Sequence, residues 1–475
     1  MPWDETELWI ADLVIDAGNT HLHNARRIDW PNANRNASIC QLLFSSNGRL
    51  FFSADYTKAD DKQIACSHDD YWNVHVYDPH TDSVSKVTQD LAEYGYPHWV
   101  YGDKRIVQLD ESSLAVIASQ PSGDAIVLID QHSLSIKTIE TSLFCTDGSA
   151  TIQHIDSDGH GQLIFECLAF SENPAITSLR VNNSRVESYY QYVKPSTINF
   201  AISKAESVSY NTRDGSEAHG FYYPPRNHHA GVDTKSSSLP PLLVMVHGGP
   251  TARAYGHFDL QKQFWTSRGF AILDVNHRGS SGYGREFRDA LYGQWGERDA
   301  SDIADAVLAL IEQAKVDPKR VCIRGKSAGG YAVLRALTEY PELFRVGACY
   351  YGIGNLLTLA ESTHKFEKHY TDRLIDEVFE KDSAQKQTSR FYQRSPIHKL
   401  EQLSSAMIVF QGALDKVVPP SVAQEVIAVL KKAKIDHQYV EYANEAHGFR
   451  MPANNIDAWQ KELDFYQRIL RSPND

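Results

Sequence analysis

Up to about residue 195, short apolar segments alternate with turn residues, and the chain shows almost no helical periodicity. This pattern is typical of β-strands joined by tight turns. An apolar strand that ends in Asp and leads into a turn recurs at Leu8, Val74 and Ile126, with a weaker fourth copy at Ile176. Each copy but the first follows another strand, and each is followed by one more. Four short strands per unit of roughly 50 residues predict a β-propeller, and an irregular β-sandwich is the alternative.

From about residue 205, short apolar segments alternate with helical patterns, which predicts an α/β domain. Segments that are apolar on both faces suit the strands of a covered, mostly parallel sheet. The predicted strands cover residues 242–246, 270–275, 320–324, 346–350, 407–410 and 438–442. One helix is predicted over residues 299–315 and another at the C-terminus. The apolar stripe of that last helix consists of Ile456, Trp459, Leu463, Tyr466 and Leu470. We therefore expect an all-β domain over residues 1–200 and an α/β domain over residues 201–475.

Composition and charge narrow the class of protein. The 475 residues are too many for one compact core, and 42% of them are apolar. The net charge of −13 repels phosphate groups, so nucleic acids and anionic membranes are not expected as partners. Six widely spread cysteines show no CxxC or Cys/His spacing, so neither a disulfide framework nor a metal site is indicated. No signal peptide or apolar run of 18 residues is recognisable, and the cytoplasm is the expected location.

The strongest chemical signal is the segment GKSAG at residues 325–329, which follows a predicted strand and precedes a helical pattern. It fits the G-x-S-x-G pattern, in which a strand turns sharply into a helix and lifts the serine above the sheet. Gly325 and Gly329 remove side chains that would collide in such a turn. The pattern predicts Ser327 as a nucleophile and the backbone N–H of Ala328 as a donor to an oxyanion.

A serine nucleophile needs a base, and an α/β-hydrolase supplies an acid and then a histidine later in the sequence. Asp415 follows one predicted strand, and His447 follows the next. Loops after parallel strands are where such sheets place their sites. We therefore predict Asp415 and His447 as the other two members of a triad. Glu441 and Glu445 are the rival acids, less favoured because they lie close to His447 in sequence.

A second oxyanion donor is predicted in the segment HGGP, which follows the strand at residues 242–246. Two consecutive glycines expose their N–H groups, as in the HGGG-type elements of related hydrolases. Gly249 is a better candidate than Gly248. A simple turn at the end of the strand is the alternative.

Together these motifs resemble the prolyl oligopeptidase family of serine peptidases, and most of all its acylaminoacyl-peptidase and dipeptidyl-peptidase-like branch. The matching segments are HGGP at 247–250, NHRGSSGYGREF at 276–287, WGERD at 295–299, GKSAGG at 325–330, RSPI at 394–397, DKVVPP at 415–420 and AHGF at 446–449. The resemblance implies an α/β-hydrolase domain preceded by a β-propeller. It also implies that Ser327, Asp415 and His447 form the triad, with Ala328 and Gly249 as backbone oxyanion donors.

The sequence departs from the family pattern in two ways. Lys326 stands directly before the nucleophile, where it either favours developing anions or points to solvent. The N-terminal part has room for three complete propeller units and the outer strands of one, whereas relatives usually have about seven blades. Under this interpretation Met1 is an internal methionine, and upstream blades are missing or encoded elsewhere. Unpaired strand edges would then favour poor solubility, homo-oligomers or lower selectivity for small peptides.

The resemblance implies a serine peptidase that hydrolyses short peptides without a metal or organic cofactor. A carboxylesterase with the same triad and a non-catalytic binding protein are the alternatives. Tyr351, Leu356 and Phe366, in the segment after the strand at residues 346–350, are predicted to line the substrate pocket, although aromatic residues there would equally suit the core. The family resemblance also implies that Arg278 is a buried ion-pairing residue rather than a catalytic one.

Overall fold

The structure of the protein is a computed structural model, and the chain divides into two compact units. The structure describes residues 1–16, 18–29, 36–56, 70–145, 148–170, 172, 174–181, 185–191, 201–226, 239–363, 365–380 and 386–471. The first unit comprises Met1–Ile198 together with Ser281–Arg288, and the second comprises Asn199–Ser280 and Asp289–Asp475. Each unit has its own hydrophobic core.

The first unit consists of antiparallel sheets that follow one another along the chain. It begins with a two-stranded hairpin, β1 (Trp9–Asp16) and β2 (Asn19–Arg27). Three four-stranded sheets follow. The first complete sheet consists of β3 (Ala37–Phe44), β4 (Leu50–Tyr56), β5 (Asn73–Asp78) and β6 (Ser83–Lys86), and the second of β7 (Ile106–Gln108), β8 (Ser113–Gln120), β9 (Gly123–Asp130) and β10 (Ile136–Ile139). The third consists of β11 (Ala150–Ser157), β12 (Gln162–Ala169), β13 (Ala175–Arg180) and β14 (Arg185–Gln191). In each sheet the strands pair in sequence order, which is the arrangement of a propeller blade.

The repeat found in the sequence corresponds to one position in each sheet. Val74, Ile126 and Ile176 lie on β5, β9 and β13, which are the third strands of the three complete sheets. Leu8 directly precedes β1, so the hairpin corresponds to the last two strands of a blade. The described part of this unit thus contains three four-stranded sheets and one hairpin.

Apolar side chains fill the space between consecutive sheets of this unit. Phe52 and Tyr77 of the first complete sheet are buried together with Leu8 and Ile28 from the ends of the hairpin. Similar clusters join the first complete sheet to the second and the second to the third. The strand β4 is buried along its whole length, which agrees with its mostly apolar rather than alternating sequence.

The second unit is built on an eight-stranded mixed sheet. Its strands are β15 (Glu206–Asn211), β16 (Glu217–Tyr223), β17 (Leu242–Val246), β18 (Ala271–Asn276), β19 (Val321–Lys326), β20 (Val346–Tyr350), β21 (Ala406–Gly412) and β22 (His437–Tyr442). Their spatial order is β15-β16-β18-β17-β19-β20-β21-β22, antiparallel at β15, β16 and β18 and parallel from β18 onward. All six strands predicted in this half are present, with ends shifted by at most two residues.

Helices lie between these strands in the sequence. They are α1 (Leu260–Thr266), α2 (Arg285–Asp289), α3 (Arg298–Glu312), α4 (Ala328–Glu339), α5 (Leu356–Ser362), α6 (Tyr370–Ile375), α7 (Arg390–Gln393), α8 (Pro420–Lys432) and α9 (Pro452–Leu470). Short turns of 3₁₀ helix occur at residues 141–143, 386–388, 396–398 and 400–402. No helix in the described parts of the chain is long and apolar enough to cross a membrane.

The predicted apolar stripe of α9 is wrong at its first position. Ile456 is 64% exposed, whereas Leu463 and Tyr466 are buried. The buried face of α9 also includes Glu462, whose carboxylate lies 3.4 Å from the Arg324 guanidinium and accepts a hydrogen bond from a tyrosine hydroxyl. The helix therefore buries a charged pair that hydrophobic periodicity does not register, and its first turn extends beyond the core.

The structure also shows the surroundings of Arg278 and of the described cysteines. Arg278 is buried and forms ion pairs with Asp302 and Asp214, both at 2.6 Å, so its predicted structural role is confirmed. The cysteines at positions 40, 145, 167, 322 and 349 are buried free thiols. Cys66 lies outside the described residues.

Residues 281–288, although late in the sequence, are part of the first unit. Arg285 and Arg288 each donate to one carboxylate oxygen of Asp55, at 2.8 and 2.6 Å. All three side chains are at most 2% exposed. The Arg288 guanidinium also lies 4.0 Å above the Trp72 ring, and the Gly284 N–H donates to a buried Glu93. These charges are removed from water and rely on one another for compensation.

We predict that Asp55→Asn destabilises the first unit by about 3–5 kcal/mol, because it leaves two buried guanidinium groups without their shared counter-charge. Asp82→Asn is the matched control. Asp82 also accepts a hydrogen bond from an arginine, Arg26, but the two side chains are 63% and 47% exposed, so this change should destabilise the protein far less than Asp55→Asn. Urea-induced unfolding monitored by circular dichroism measures both values. Equal destabilisation by the two substitutions would contradict the prediction.

Candidate active site

A strained turn between β19 and α4 holds Ser327. Its backbone has φ 54° and ψ −122°, a conformation that L-residues rarely adopt. The neighbouring glycines are required by close backbone contacts. A Cβ on Gly325 would lie 2.2 Å from the Gly329 oxygen, and one on Gly329 would lie 2.3 Å from the Val246 oxygen. The turn therefore forms only because both positions lack side chains, and it raises Ser327 above the end of the sheet.

Three side chains predicted from the sequence form a continuous hydrogen-bonded chain. His447 Nε2 lies 2.9 Å from Ser327 Oγ, and His447 Nδ1 lies 2.8 Å from Asp415 Oδ2. A carboxylate only accepts hydrogen bonds, so Nδ1 carries the proton and Nε2 accepts from the serine hydroxyl. This is the tautomer in which a histidine can take a proton from the serine.

The loop after β21 holds Asp415 in a fixed orientation. Its Oδ1 accepts from the N–H groups of Val417 and Val418, both at 2.9 Å, while Oδ2 faces His447. The side chain is completely buried. With one oxygen bonded to the backbone, the carboxylate cannot rotate away from the imidazole without breaking two hydrogen bonds.

Glu445 stabilises the loop that carries His447, which we call the histidine loop. It is 2% exposed, and its carboxylate accepts from the N–H groups of Arg450 and Met451 at 2.9 and 3.0 Å. Asn454 donates a third bond at 2.8 Å. Burial alone would raise the pKa of Glu445, but these bonds together hold it below its ordinary value. Glu445 precedes His447 and its carboxylate holds residues that follow the histidine, so these bonds fix the path of the loop.

The same loop is tied to the loop of Asp415. The Leu414 N–H donates to the Glu445 carbonyl at 2.9 Å, and a Cβ on Gly412 would lie 2.5 Å from that oxygen. Glu441, the other rival acid, is exposed on β22 and accepts a bond from Tyr439. The sequence indicates Glu445 only as a rival catalytic acid. Its position two residues before a histidine, in a loop that follows a strand, does not predict a structural role.

The predicted oxyanion donors lie beside Ser327. Ala328 is the first residue of α4, where a backbone N–H has no partner in the preceding helical turn. Gly249 has φ 118°, and a Cβ on the adjacent Gly248 would lie 3.6 Å from Ser327 Cβ. The glycine loop therefore passes directly beside the serine.

His247 sets the orientation of this glycine loop. Its Nδ1 donates to the Gly248 carbonyl at 2.8 Å, and its Nε2 lies 2.8 Å from Ser280 Oγ. Burial and the stacked His277 ring lower the pKa of His247 to about 3, so the ring is neutral. Because C=O and N–H of one trans peptide point in opposite directions, holding the Gly248 carbonyl also directs the Gly249 N–H.

The three predicted substrate-binding residues lie in different environments. Tyr351 packs edge-on against His447, with ring centroids 4.9 Å apart, and is 5% exposed. Leu356 begins α5 with no exposed surface and donates its N–H to Ser395, so its placement does not support contact with a substrate. Phe366 is half-buried between α5 and α6. Among the described residues, no group of three or more His, Cys, Asp or Glu side chains is placed to hold a metal ion.

The sequence of the second unit matches a known family. Residues 256–473 match the model of the prolyl oligopeptidase family, Peptidase_S9. Dipeptidyl aminopeptidase BIII of Pseudoxanthomonas mexicana is 32% identical over 250 residues, which are 52% of this chain and 36% of that protein. Acylamino-acid-releasing enzyme 1 of Oryza sativa subsp. japonica is 27% identical over 240 residues, 49% of this chain and 31% of that protein. The chain thus spans about a third of these curated relatives.

Solved structures extend the similarity to both units. A Mycobacterium tuberculosis puromycin-hydrolyzing peptidase superposes with a TM-score of 0.83 at 27% identity, covering 99% of this chain and 67% of that one. A puromycin hydrolase gives the same TM-score at 25% identity, covering 99% and 66%. The architecture is therefore an α/β-hydrolase domain preceded by a partial β-propeller, and residues 256–473 form a prolyl oligopeptidase family domain. The predicted fold class and family resemblance are confirmed.

We predict that Glu445→Gln lowers kcat/KM by about tenfold to a hundredfold, because its amide places N–H groups against backbone donors and loosens the histidine loop. Glu441→Gln is the control. It neutralises an exposed carboxylate on β22, the strand that leads into the loop of Glu445, and should leave activity unchanged. Steady-state kinetics on a peptide anilide measures both. An unchanged kcat/KM in Glu445→Gln would refute the role of Glu445 in positioning the loop of His447.

The lowered pKa of Glu445 also predicts a pH dependence of stability. Its carboxylate stabilises the fold above the pKa of the unfolded chain, near the ordinary value of 4.5, and this contribution is lost as the pH falls through the lower folded-state pKa. The difference in Tm between the native protein and Glu445→Gln should therefore be full at neutral pH and shrink in acid. Thermal unfolding across this range measures it; a constant difference would contradict the expectation.

Proposed function

We propose that this protein is a serine peptidase that hydrolyses short peptides through an acyl-enzyme intermediate. The observation that carries the proposal is the uninterrupted hydrogen-bonded chain from Ser327 through His447 to Asp415. A serine on a strained turn, a histidine with its proton directed away from that serine, and a fixed carboxylate are the parts that nucleophilic acyl transfer requires.

In the acylation step, His447 Nε2 takes the hydroxyl proton while Ser327 Oγ attacks the peptide carbonyl carbon. The carbonyl electron pair moves to its oxygen, which becomes an oxyanion. Asp415 stays ionised and stabilises the imidazolium through its bond to Nδ1. The N–H groups of Ala328 and Gly249 are assigned to the oxyanion, since both flank the nucleophile. Collapse of this intermediate breaks the C–N bond, and His447 returns the proton to the leaving amine.

In the second step, water attacks the ester that Ser327 now carries. His447 accepts a proton from this water, and the same oxyanion donors stabilise the second tetrahedral intermediate. Its collapse releases a carboxylate product and restores the serine hydroxyl. Tyr351, packed against the His447 ring, limits the movement of the base between the two steps and is the best placed of the predicted substrate-pocket residues.

The relatives support peptides as the substrate class. Their names specify dipeptidyl aminopeptidase, acylamino-acid-releasing and puromycin-hydrolysing activities, all of which cleave an amide bond next to an amino acid. We extend to this chain the shared feature, amide hydrolysis in small peptides. A profile over dipeptide anilides with free and acylated N-termini distinguishes a dipeptidyl from an acylaminoacyl specificity.

We predict that Ser327→Ala reduces turnover of aminoacyl and dipeptidyl anilides by about a millionfold, because the nucleophile is removed. Ser421→Ala, an exposed serine on α8, is the control and should retain full activity. A fluorophosphonate probe should label the native protein and the control but not Ser327→Ala. Failure to label the native protein would favour a non-catalytic binding protein, and turnover of p-nitrophenyl esters without anilides would favour a carboxylesterase.

Association into homo-oligomers is proposed through the hairpin β1–β2. Trp9, Leu13, Ile15 and Leu22 are between 58% and 72% exposed, and among the described residues β1 pairs with β2 alone. The free edge of β1 is open to strand addition. Two hairpins joined antiparallel through β1 would form a four-stranded sheet, the strand number of the three complete sheets. A second copy of the chain is therefore the partner we propose.

We predict that the double substitution Leu13→Lys with Ile15→Lys shifts the protein toward monomer, because charged side chains at an exposed edge oppose strand pairing. The control replaces Leu308 and Val378, exposed apolar residues of the second unit, with lysine. Light scattering coupled to size-exclusion chromatography reports the mass of each variant. A native protein that is monomeric at every concentration would overturn the proposal.

The cytoplasm is the proposed location. The five described cysteines are buried free thiols, and burial raises the pKa of Cys167 and Cys349 to about 12. Such thiols remain protonated and unpaired, which suits a reducing compartment.

A further inference from the structure

A cavity of about 270 Å³ lies in the second unit beside the strand that carries the nucleophile. Met245 on β17 pairs with Asp274 on β18 and with Arg324 on β19, so these three side chains share one face of the sheet. Lys326 lies two residues beyond Arg324, on the same face, and directly precedes Ser327. The N-terminal turn of α1 and the loop at residues 253–257 complete the lining.

Most charged groups in this cavity are already neutralised by partners. Lys262 Nζ contacts Asp274 at 2.7 Å, the Tyr223 hydroxyl at 3.0 Å and the Tyr255 carbonyl at 2.8 Å, which occupies all three of its donors. Arg324 faces Glu462 at 3.4 Å. Both cations therefore already have a carboxylate as charge partner.

Asp259, at the start of α1, is also engaged. Its Oδ1 accepts from the Gln261 N–H at 2.6 Å and from the Lys262 N–H at 3.4 Å. Burial opposes its charge, but Lys262 and His257 keep its pKa below the ordinary value. The carboxylate is thus charged and caps the helix, at a distance from Lys326 that leaves no ion pair between them.

Lys326 is the exception among these charged groups. It is partly buried, and it makes no hydrogen bond or ion pair with any residue in the described ranges. Burial and the neighbouring Arg324 lower its pKa to about 8, so the ammonium is still mostly protonated at neutral pH. Asp259 and Glu462 act on it only as nearby charges, and no carboxylate among the described residues forms an ion pair with its three N–H donors.

A second polar atom without a partner lines the same space. The Nδ1 atom of His257 is buried and has no hydrogen-bond partner among the described residues. Burial lowers the pKa of His257 to about 4, and its ring stacks on Tyr255 with centroids 5.6 Å apart. A neutral imidazole can donate through this nitrogen, and an unpaired buried polar atom is unfavourable unless a ligand or water satisfies it.

We propose that this cavity binds the carboxylate group of a small ligand, with Lys326 as its charge partner and His257 as a hydrogen-bond donor. A carboxylate supplies two acceptor oxygens, which match the two unpaired donor groups. The free volume accommodates a small organic acid or the end of a short peptide but not a folded partner.

Two sources of the carboxylate are chemically equivalent: a free small acid, and the C-terminal carboxylate of a bound peptide. Binding of a peptide C-terminus would make the cavity part of the substrate site, because Lys326 and Ser327 are adjacent in the chain. This second source therefore rests on the proposed peptidase function. The first does not depend on catalysis. Binding is therefore measured first without turnover.

The primary experiment titrates sodium acetate into the protein at constant ionic strength and follows Tm and calorimetric binding. Acetamide, which has the same shape without the charge, is the control ligand. Native protein and Lys319→Met, an exposed-lysine control, should bind acetate and not acetamide. Lys326→Met should lose affinity by at least about tenfold, and Lys326→Arg should retain most of it.

Three outcomes would overturn the proposal: no acetate binding to the native protein, equal stabilisation by acetamide, or undiminished binding by Lys326→Met. The variant is informative only if folded, and Lys326→Arg with the native protein supplies the comparison if Lys326→Met does not fold. His257→Phe, which keeps the stacked ring but removes the donor, should weaken acetate binding as well.

The pH dependence provides a separate test. Deprotonation of Lys326 removes the charge that holds the anion, so acetate affinity should be constant near neutral pH and fall by about tenfold per pH unit above about 8. The charged and titratable groups around Lys326 are Arg324 on its own strand, Asp274 on β18, Asp259 before α1, Lys262 on α1, Glu462 on α9, Arg253, Tyr255 and His257 on the loop, and His247 after β17. An affinity independent of pH between 7 and 10 would contradict the assignment of Lys326.

The source of the carboxylate is resolved with the Ser327→Ala variant, which binds without cleaving. Trialanine and its C-terminal amide are compared as competitors of acetate. Stronger competition by the free acid than by the amide, lost in the double variant with Lys326→Met, identifies a peptide C-terminus. Equal competition, with acetate binding intact, assigns the cavity to free small acids and leaves the peptidase proposal untouched.

Discussion

The close approach of three backbone segments around Ser327 is the constraint on which the candidate site depends. The end of β19, the start of α4 and the loop after β17 come within contact distances that exclude a Cβ at Gly325 and Gly329. Only with both side chains absent can the chain reverse so tightly, and the reversal forces Ser327 into a strained conformation. The hydroxyl, the first N–H of α4 and the glycine loop are thereby gathered at one end of the sheet.

The remaining groups of the site are held by hydrogen bonds between neighbouring loops rather than by packing alone. Asp415 is bonded to its own loop, and Glu445, which precedes His447, accepts hydrogen bonds from backbone N–H groups that follow it. The bond from Leu414 to Glu445 joins the two loops. These buried bonds replace water around the two carboxylates, so each carboxylate is both desolvated and oriented. An acid and a base positioned this way need little reorganisation during proton transfer.

The first unit contains both well-buried sheets and one hairpin with exposed apolar side chains. Apolar side chains are buried between its consecutive sheets, and a cluster of arginine and acidic side chains is compensated internally. The hairpin β1–β2 instead leaves large apolar side chains exposed and one strand edge without a described partner. Buried charge is tolerated because counter-charges are built in, whereas an open strand edge leaves backbone groups available for pairing.

The sequence by itself determined the two-part organisation, the strand repeat, all six predicted strands of the second half and the order of Ser327, Asp415 and His447. These features are local: periodicity and short turn motifs record which faces are buried and where the chain must reverse. Only the tertiary structure decided that Glu445 fastens a loop, that Leu356 is buried, that Ile456 is exposed and that residues 281–288 belong to the first unit. It also showed that Lys326 lines a cavity beside the strand that leads to Ser327. These properties depend on which distant segments meet, and hydrophobic pattern along the chain carries no information about a hydrogen bond, an ion pair or a cavity formed between them.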